Sequence, residues 1–374
     1  MQLRFASALI ACLLSTALTA AVLPEDRADV LYHRYEGGGM TIDGPSVLVR
    51  KSVGGRVSVS ANQYVDSVSA ASVDVLASAS PYTEERTEKS LGVDYLAGKA
   101  IYSLSVTGSE ENDYEARTVS FGASQDFFGD LTTLSLGYAR GDDTVRRRGD
   151  ALFEEQAERQ HFRFGVTQVI TRNMIMALGH EFISDEGFLN NPYRSVRYRT
   201  ATGYASQPEV YPNTRSSEAT ALRAGYYLPW RAAVHAEYRW FNDSWGISSR
   251  DWRVAYVFPF RTHWEFELNY RSYDQSGADF YSDLFPYQDA QTFLARDKEM
   301  SDFTSSSWGV AASWEFLKGR YRLIDRVGLR LAVDRYSFDY QNFRDITVKG
   351  LPAGTEPLYS FEATVSQVLL SVWY

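Results

Sequence analysis

Cysteine is almost missing from this sequence. Cys12 is the only one among 374 residues, and it lies in an apolar N-terminal run of the kind that a secretory signal peptide carries. If that segment is removed, the exported chain has no thiol, so disulfides and thiol catalysis are excluded.

The sequence also lacks a long apolar run and a basic excess. Beyond the N-terminus, no stretch is continuously apolar for the roughly 18 residues that a transmembrane helix requires. The 38 Lys and Arg are outnumbered by 47 Asp and Glu, which argues against nucleic acid as a partner. The mean hydropathy of −0.31 is that of a soluble protein. A membrane barrel is still allowed, because only alternate residues of its strands face lipid.

The N-terminus predicts export. Arg4 precedes an apolar segment over residues 5–18, and Thr19, Ala20 and Ala21 offer the small residues of a cleavage site. We therefore expect a signal peptide over residues 1–21, cleaved near Ala21. Residues 22–374 are expected to form a single domain exported by a Gram-negative bacterium.

What the sequence does contain is side-chain alternation. Residues 263–272 place Trp264 and three further apolar residues on one side, with polar or charged residues on the other. A period of two indicates a β-strand with two different faces. Residues 232–242 and 252–260 repeat the pattern.

The apolar faces begin and end with aromatic side chains at a spacing that fits a membrane. From Trp252 to Phe260 there are eight steps, which at about 3.3 Å each and a tilt near 40° give roughly 20 Å of height. Outer-membrane barrels carry an outward apolar band of about 25 Å between two aromatic girdles. The chain is rich in girdle residues, with 25 Tyr, 21 Phe and 8 Trp.

The whole chain divides into such strands. About sixteen are predicted, or fourteen if weakly patterned segments such as residues 29–36 are not strands. One set of connections is short and the other is long and polar: residues 54–55, 98, 128–130, 171–173, 229–231 and 261–262, against 67–89, 141–156, 184–217, 274–302 and 341–357. Bacterial membrane barrels have short turns at one end and longer loops at the other. The predicted fold class is therefore all-β, a transmembrane antiparallel up-and-down β-barrel.

The last predicted strand ends on an aromatic residue. Val368, Leu370, Val372 and Tyr374 alternate to the final position. This pattern resembles the C-terminal signal that the bacterial barrel-assembly machinery reads, with tyrosine in place of the usual phenylalanine. We therefore expect that machinery as a partner and the outer membrane as the location, where the barrel contacts lipid and lipopolysaccharide.

Four segments resemble a known protein family. They are YVDSVSAASVDVLASASPYTEERTE (64–88), SEENDYEA (109–116), SQDFFGDLTTLSLGY (124–138) and SDEGFLNNPYRSVRY (184–198). They are similar to the Gram-negative barrel family filed as domain of unknown function 3570. The resemblance implies an outer-membrane β-barrel but no activity. Family members encoded near flavin-transferase and thioredoxin-like proteins suggest a link to envelope redox or export systems.

Charged side chains on the polar faces are expected to line the lumen. They are Arg163, Arg223, His235, Glu237, Arg239, Arg253, Glu265, Glu267 and Arg271, with Arg330 and Asp334 on later strands. One hypothesis is an aqueous pore whose charges set selectivity. The other is a network of cross-strand salt bridges that fills the barrel. Since both signs occur on neighbouring strands, pairing is expected and strong ion selectivity is not.

A second set of polar residues falls in or near the predicted outer loops. It comprises Asp66, Glu84, Glu85, Arg86, Asp113, Asp185, Asn190, Asn191, Arg194 and Arg197. Clustered carboxylates suit Ca²⁺ or Mg²⁺, but arginines stand among them. Salt-bridged loops or contacts with lipopolysaccharide are therefore favoured over a cation site. The Asn-Pro turn at residues 191–192 is expected to lock the long loop onto the barrel wall rather than to bind an anion. No metal and no cofactor is predicted.

Catalytic motifs are missing. No serine stands in a recognisable nucleophile setting, and there is neither a Gly-rich phosphate loop nor a zinc spacing. We therefore predict that the protein is not an enzyme. The leading hypothesis is a porin-like channel or conduit for small solutes with a loop-constricted lumen. The alternative is a structural or partner-binding scaffold with a plugged lumen.

Overall fold

Sixteen antiparallel strands close into one barrel. The computed structural model describes residues 21–70, 82–317, 319 and 323–374. The barrel strands are β1 (Arg27–Gly37), β2 (Met40–Val53), β3 (Val57–Ala70), β4 (Tyr82–Ala97), β5 (Ala100–Glu110), β6 (Tyr114–Phe127), β7 (Thr132–Arg147), β8 (Asp150–Thr171), β9 (Met174–Gly187), β12 (Thr214–Tyr227), β13 (Ala233–Asp243), β14 (Ser248–Phe260), β15 (Trp264–Gln275), β16 (Phe303–Phe316), β17 (Arg326–Arg344) and β18 (Leu358–Trp373). Two further strands, β10 (Ser195–Thr200) and β11 (Gly203–Pro208), form a separate sheet in the connection from β9 to β12. Each barrel strand pairs with its neighbours in chain order, and β1 pairs with β18 to close the ring. The predicted up-and-down barrel of about sixteen strands is confirmed.

The alternating pattern corresponds to two faces of the barrel wall. Trp252 and Val254 on β14 and Trp308 on β16 are 55%, 44% and 60% exposed on the outward face. The residues between them, such as Arg253 and Ser307, point to the lumen and pair laterally through Arg271. An outward apolar face and an inward polar face are the arrangement of a barrel that stands in lipid. Within the described residues, no helix has the length and apolar character needed to cross a membrane.

The prediction of a long loop over residues 141–156 is wrong. β7 continues to Arg147 and β8 begins at Asp150, so only two residues connect them, and Gly149 supplies a positive φ of 84°. The charged residues taken as loop are cross-strand partners. Arg146 and Glu154 lie opposite each other, and the guanidinium Nε donates to the carboxylate at 3.0 Å. Opposite charges at paired positions stabilise a hairpin that projects beyond the lipid-facing band.

The longest connections, those from β9 to β12, from β15 to β16 and from β17 to β18, all lie at one end of the barrel. We call this end the loop end and the opposite one the turn end. At the turn end, cation–π contacts tie the end of the last strand to β2 and β17. Lys51 Nζ lies 4.8 Å from the Tyr374 ring centroid, and the Arg326 guanidinium lies 4.3 Å from that of Trp373. Residues 29–36, whose strand character was doubtful from their pattern, lie within β1, which pairs along its whole length with β18 and β2.

Candidate functional site

The charged residues predicted to line the lumen lie on the part of the wall that runs from β8 to β17. All the residues predicted to line the lumen lie at inward positions of these strands: Arg163, Arg223, His235, Glu237, Arg239, Arg253, Glu265, Glu267, Arg271, Arg330 and Asp334. Their strands place them there because each alternates with an outward apolar residue. Their role in conduction remains a prediction.

Most of these charges are paired across strands. Asp251 on β14 accepts from Arg271 Nη2 at 2.8 Å and from Arg253 Nη2 at 3.2 Å. Arg330 on β17 donates to Glu267 on β15 at 2.8 Å, reaching past the intervening β16. Arg223 pairs with Glu237 on the next strand. These bridges tie the wall together and leave it with little net charge.

Part of the charged wall nevertheless faces open space. Arg163, His235 and Glu265 are exposed although they point inward. They form no salt bridge or hydrogen bond with other residues that the structure describes. Arg223 is paired, yet its side chain remains 57% exposed. Inward side chains with this much accessible surface are not closely packed against neighbouring side chains.

The opposite wall has short side chains. Gly92, Ser105, Ser120 and Ala139 lie side by side on β4, β5, β6 and β7 at inward positions. A sixteen-stranded barrel is wider than the eight-stranded size that side chains fill. Small residues therefore fill little of the barrel's width on this wall.

A folded cap occupies much of the loop end. It consists of residues 188–213, 276–302 and 345–357, together with the β13–β14 turn. Its apolar cluster includes Leu189, Tyr211, Trp245 and Phe280, and packs against Phe241 on the inward face of β13. Short backbone bridges join the segments, as between residues 210 and 294. The cap thus reaches into the mouth of the barrel.

Arg197 is the centre of a buried ionic network in the cap. Its side chain is 2% exposed and contacts the carboxylates of Asp283 and Glu356, one from each of the other two cap segments. Arg296 donates to Asp283 Oδ1 at 2.9 Å and to the backbone oxygen of Arg344 on β17 at 2.9 Å. One cation therefore joins the three cap segments, and a second ties them to the barrel.

The remaining residues predicted for the outer loops are divided between the cap and the barrel wall. Asp66, Glu84, Arg86 and Asp185 lie at inward positions of strands and Glu85 at an outward one, so none of these five is in a loop. Asp113, Asn190, Asn191 and Arg194 lie in connections. The Asn190 side chain donates to the backbone carbonyl oxygen of Glu209 at 2.8 Å and accepts from the backbone amide of Tyr211 at 3.0 Å, and so links two parts of the cap. Arg194 pairs with Asp297.

Three carboxylates come together beside the cap. Glu84, Glu111 and Asp113 bring one oxygen each within 4.8 Å of the others. Oxygen donors suit a hard cation. However, Arg86 Nε lies 3.8 Å from Glu111, and the Tyr193 hydroxyl donates to Asp113. The cluster is thus partly satisfied by protein groups, as salt-bridged loops would require.

His33 and Asp66 form a buried pair at inward positions, a contact that was not predicted from the sequence. His33 Nε2 lies 2.8 Å from Asp66 Oδ1 and 3.0 Å from the Tyr64 hydroxyl, and the two rings stack at 5.0 Å. His33 is on β1, whose apolar pattern is weak. His33 alternates in step with Leu31, so the two residues share the inward face of β1. This face can be assigned only once the pairing of β1 with β18 is known.

Burial raises the pKa of two acids of the cap, Glu209 and Glu299, to about 7. Glu209 is 5% exposed, and desolvation together with the nearby Asp297 raises the pKa of its carboxyl to about 7. Its oxygens accept from the Arg296 amide at 2.7 Å and from the Tyr211 hydroxyl at 2.7 Å. The folded cap therefore favours the protonated, neutral form of the Glu209 carboxyl.

We expect the cap to be more stable at pH 6 than at pH 8. A folded-state pKa near 7 against the ordinary value of 4.5 means that this contribution is complete below pH 4.5 and is lost as pH rises through 7. Proteolysis of the cap should show it, as a wild-type to Glu209→Gln cleavage-rate ratio that rises from pH 6 to pH 8. A ratio independent of pH would contradict the assignment, and the exposed Glu154→Gln variant is the control.

Comparisons with known proteins agree with the fold. Residues 72–350 match the family model described as protein of unknown function (DUF3570), which confirms the resemblance. No functionally curated protein matches the sequence.

Solved structures similar to this chain are outer-membrane barrels. A bacterial polysaccharide outer membrane secretin has a TM-score of 0.51 at 6% identity, covering 94% of this chain and 99% of its own. OpdK from Pseudomonas aeruginosa, solved with vanillate, has a TM-score of 0.45 at 10% identity, covering 95% and 100%. A loop-deletion mutant of OmpT from Vibrio cholerae has 0.41 at 8%, covering 93% and 98%.

Proposed function

This chain belongs to the DUF3570 family of proteins of unknown function, and we propose that it is a porin-like conduit for small polar solutes in the outer membrane. Its C-terminal strand would serve as the signal for the barrel-assembly machinery. Its outward surface would contact lipid and lipopolysaccharide.

The observation that carries the proposal is the exposure of inward charged side chains. Arg163, His235 and Glu265 are exposed at inward positions of their strands. The short side chains of the opposite wall leave room for solute beside them. The cap would narrow the passage at the loop end, in the manner of loops that constrict a pore.

The chemistry of the wall favours small hydrophilic solutes over ions of one sign. Arg253 and Arg271 share Asp251, and Arg330 is matched by Glu267. Paired charges hydrogen-bond to polar solutes and orient them, but produce only a weak net field along the passage.

A second function is favoured by the cap. Its three segments form a hydrophobic cluster and a buried ionic network, as a small folded domain does. If this cap closes the mouth completely, the barrel is a scaffold whose outer surface binds a partner, with a link to envelope redox or export systems.

We expect the purified protein to produce steady ohmic steps in a planar bilayer. The Arg163→Glu variant should shift the permeability ratio towards cations and change the conductance roughly twofold at 0.1 M salt, where the Debye length is about 10 Å. The effect should shrink at 1 M salt. Arg250→Glu is the matched control, because Arg250 is exposed on the outward face at the loop end.

A silent bilayer with a folded, heat-modifiable barrel would reject the conduit and support the scaffold. Conductance steps that respond equally to Arg163→Glu and Arg250→Glu would reject the assignment of Arg163 to the passage.

A further inference from the structure

The short turns of the barrel carry an excess of positive charge. Six connections of two to five residues join strands at the turn end, at residues 54–56, 98–99, 128–131, 172–173, 228–232 and 261–263. Each contains one acidic or basic residue, and only Asp130 is acidic. The other five are Arg56, Lys99, Arg172, Arg231 and Arg261. The formal net charge of the chain is −9, so these turns are opposite in sign to the chain as a whole.

Four of these basic residues have no charged partner in the barrel, and we call Arg56, Arg172, Arg231 and Arg261 the turn cations. All four are exposed. Their side chains form no salt bridge or hydrogen bond with the residues that the structure describes. Arg261 makes only a cation–π contact, at 5.3 Å from the centroid of the Phe260 ring. A partner from outside the chain can therefore reach all four guanidinium groups.

Acidic residues near the turn end pair with other cations. Asp130 accepts from Lys99 Nζ at 2.6 Å, and Asp26 accepts from Lys51 Nζ at 2.7 Å. These pairs do not include the turn cations, so the charge of the turn cations is not balanced by them. An exposed cluster of one sign attracts groups of the opposite sign.

The backbone at two of the turn cations is unfavourable for arginine. Arg231 and Arg261 have φ angles of 68° and 58°, in the left-handed region that disfavours residues with a Cβ. In other turns glycine occupies this region, as at Gly54 and Gly98, both with a φ of 63°. The geometry of the turns therefore does not explain the arginines. Such a conformation at a residue with a long side chain points to a function of that side chain.

The turn cations lie at the edge of the apolar band. Arg231 directly follows Trp230, which is 64% exposed, and Arg261 directly follows Phe260, which is 49% exposed. Exposed aromatic side chains at the end of a barrel strand mark the level of the lipid headgroups. The headgroup layer is about 5–7 Å thick on each side of the hydrocarbon core, and turns of this length remain within it. The guanidinium groups are thus at the depth of lipid phosphates.

The distribution of the turn cations favours lipid over a docked protein. Three lie in the successive hairpins β8–β9, β12–β13 and β14–β15, and Arg56 lies six strands further along the ring, between β2 and β3. They span more than half of the circumference, which lipid surrounds, whereas a docked protein would contact one sector. We propose that the turn cations bind the phosphate groups of anionic phospholipids in the leaflet at the turn end. Guanidinium groups form charge-assisted hydrogen bonds with phosphate oxygens.

Spin-labelled lipids test this contact on the full chain in phosphatidylcholine vesicles. The barrel should immobilise labelled phosphatidylglycerol about twofold or more over labelled phosphatidylcholine, because a basic residue near the surface attracts anionic lipid. The preference should fall towards one at 1 M salt. It should also disappear in the fourfold variant Arg56→Gln, Arg172→Gln, Arg231→Asn and Arg261→Asn. Asparagine tolerates a positive φ, so the last two turns keep their conformation.

The matched control removes four cations from the loop end. Arg34→Gln, Arg117→Gln, Arg140→Gln and Arg335→Gln change the net charge equally, at exposed residues that pair with carboxylates of the chain. This variant should keep the preference for phosphatidylglycerol. An equal loss in both fourfold variants would overturn the proposal, because net charge rather than the turns would then set the preference.

Two further results would overturn the proposal. One is a wild-type barrel without a preference for phosphatidylglycerol. The other is a fourfold turn variant that keeps the preference but no longer binds polyglutamate, because the turn cations would then fit an acidic protein.

A double variant covers the case in which the fourfold turn variant does not fold. Arg231→Gly with Arg261→Gly removes two turn cations and places glycine where φ is positive, so the turns are not strained. The preference for phosphatidylglycerol should fall part of the way towards one. An unchanged preference in this folded barrel would contradict the proposal.

Discussion

Replacing Arg197 by methionine is expected to release the cap. The substitution leaves the carboxylates of Asp283 and Glu356 buried without their shared cation, and removal of one partner from a buried ion pair costs about 3–5 kcal/mol. Protease cleavage within residues 276–302 should therefore accelerate by two orders of magnitude or more. If the barrel conducts, the unitary conductance should rise as the mouth opens.

The control for this prediction is Arg335→Met. Arg335 also forms an ion pair, but its side chain is 59% exposed, and exposed pairs contribute about 0–1 kcal/mol. Equal cleavage rates in the two variants would mean that the Arg197 network does not hold the cap together. A faster cleavage at unchanged conductance would mean that the cap is not the constriction.

An arginine in place of Leu268 is expected to impair folding of the barrel. Leu268 is 47% exposed on the outward face of β15, between Phe266 and Tyr270. Arginine near the middle of the bilayer costs about 2–4 kcal/mol on the lipid face of a barrel. The folded fraction in lipid vesicles, measured by heat-modifiable gel mobility, should fall accordingly.

Ser120→Arg tests the same strand geometry from the other face. Ser120 points inward among Gly92, Ser105 and Ala139, where the proposed passage would accommodate a charged side chain. We expect little loss of folded protein. A loss as large as that of Leu268→Arg would indicate that this side of the lumen is filled, and would reject the open passage.

The strands and their faces could be predicted from the sequence because they depend on a local rule. An alternation of two residues decides which side chains share a face. The charges predicted for the lumen, from Arg163 on β8 to Asp334 on β17, all lie at inward positions, and their role in lining a passage stays a prediction. The rule failed at residues 141–156, where the outward side chains are charged and the strand continues above the membrane. Polarity there indicated a loop, although Arg146 and Glu154 form a strand pair.

The sequence by itself thus determined the barrel and the polar character of its inward face, because lipid on one side and water on the other require a period of two. It left sixteen or fourteen strands open, and the closed ring shows sixteen. Only the tertiary structure decided the rest. Arg197 and Glu356 meet across 159 residues of chain, and His33 meets Asp66 through a closed register. Such pairs obey no local period, because loop packing at the mouth depends on which segments the closed ring brings together.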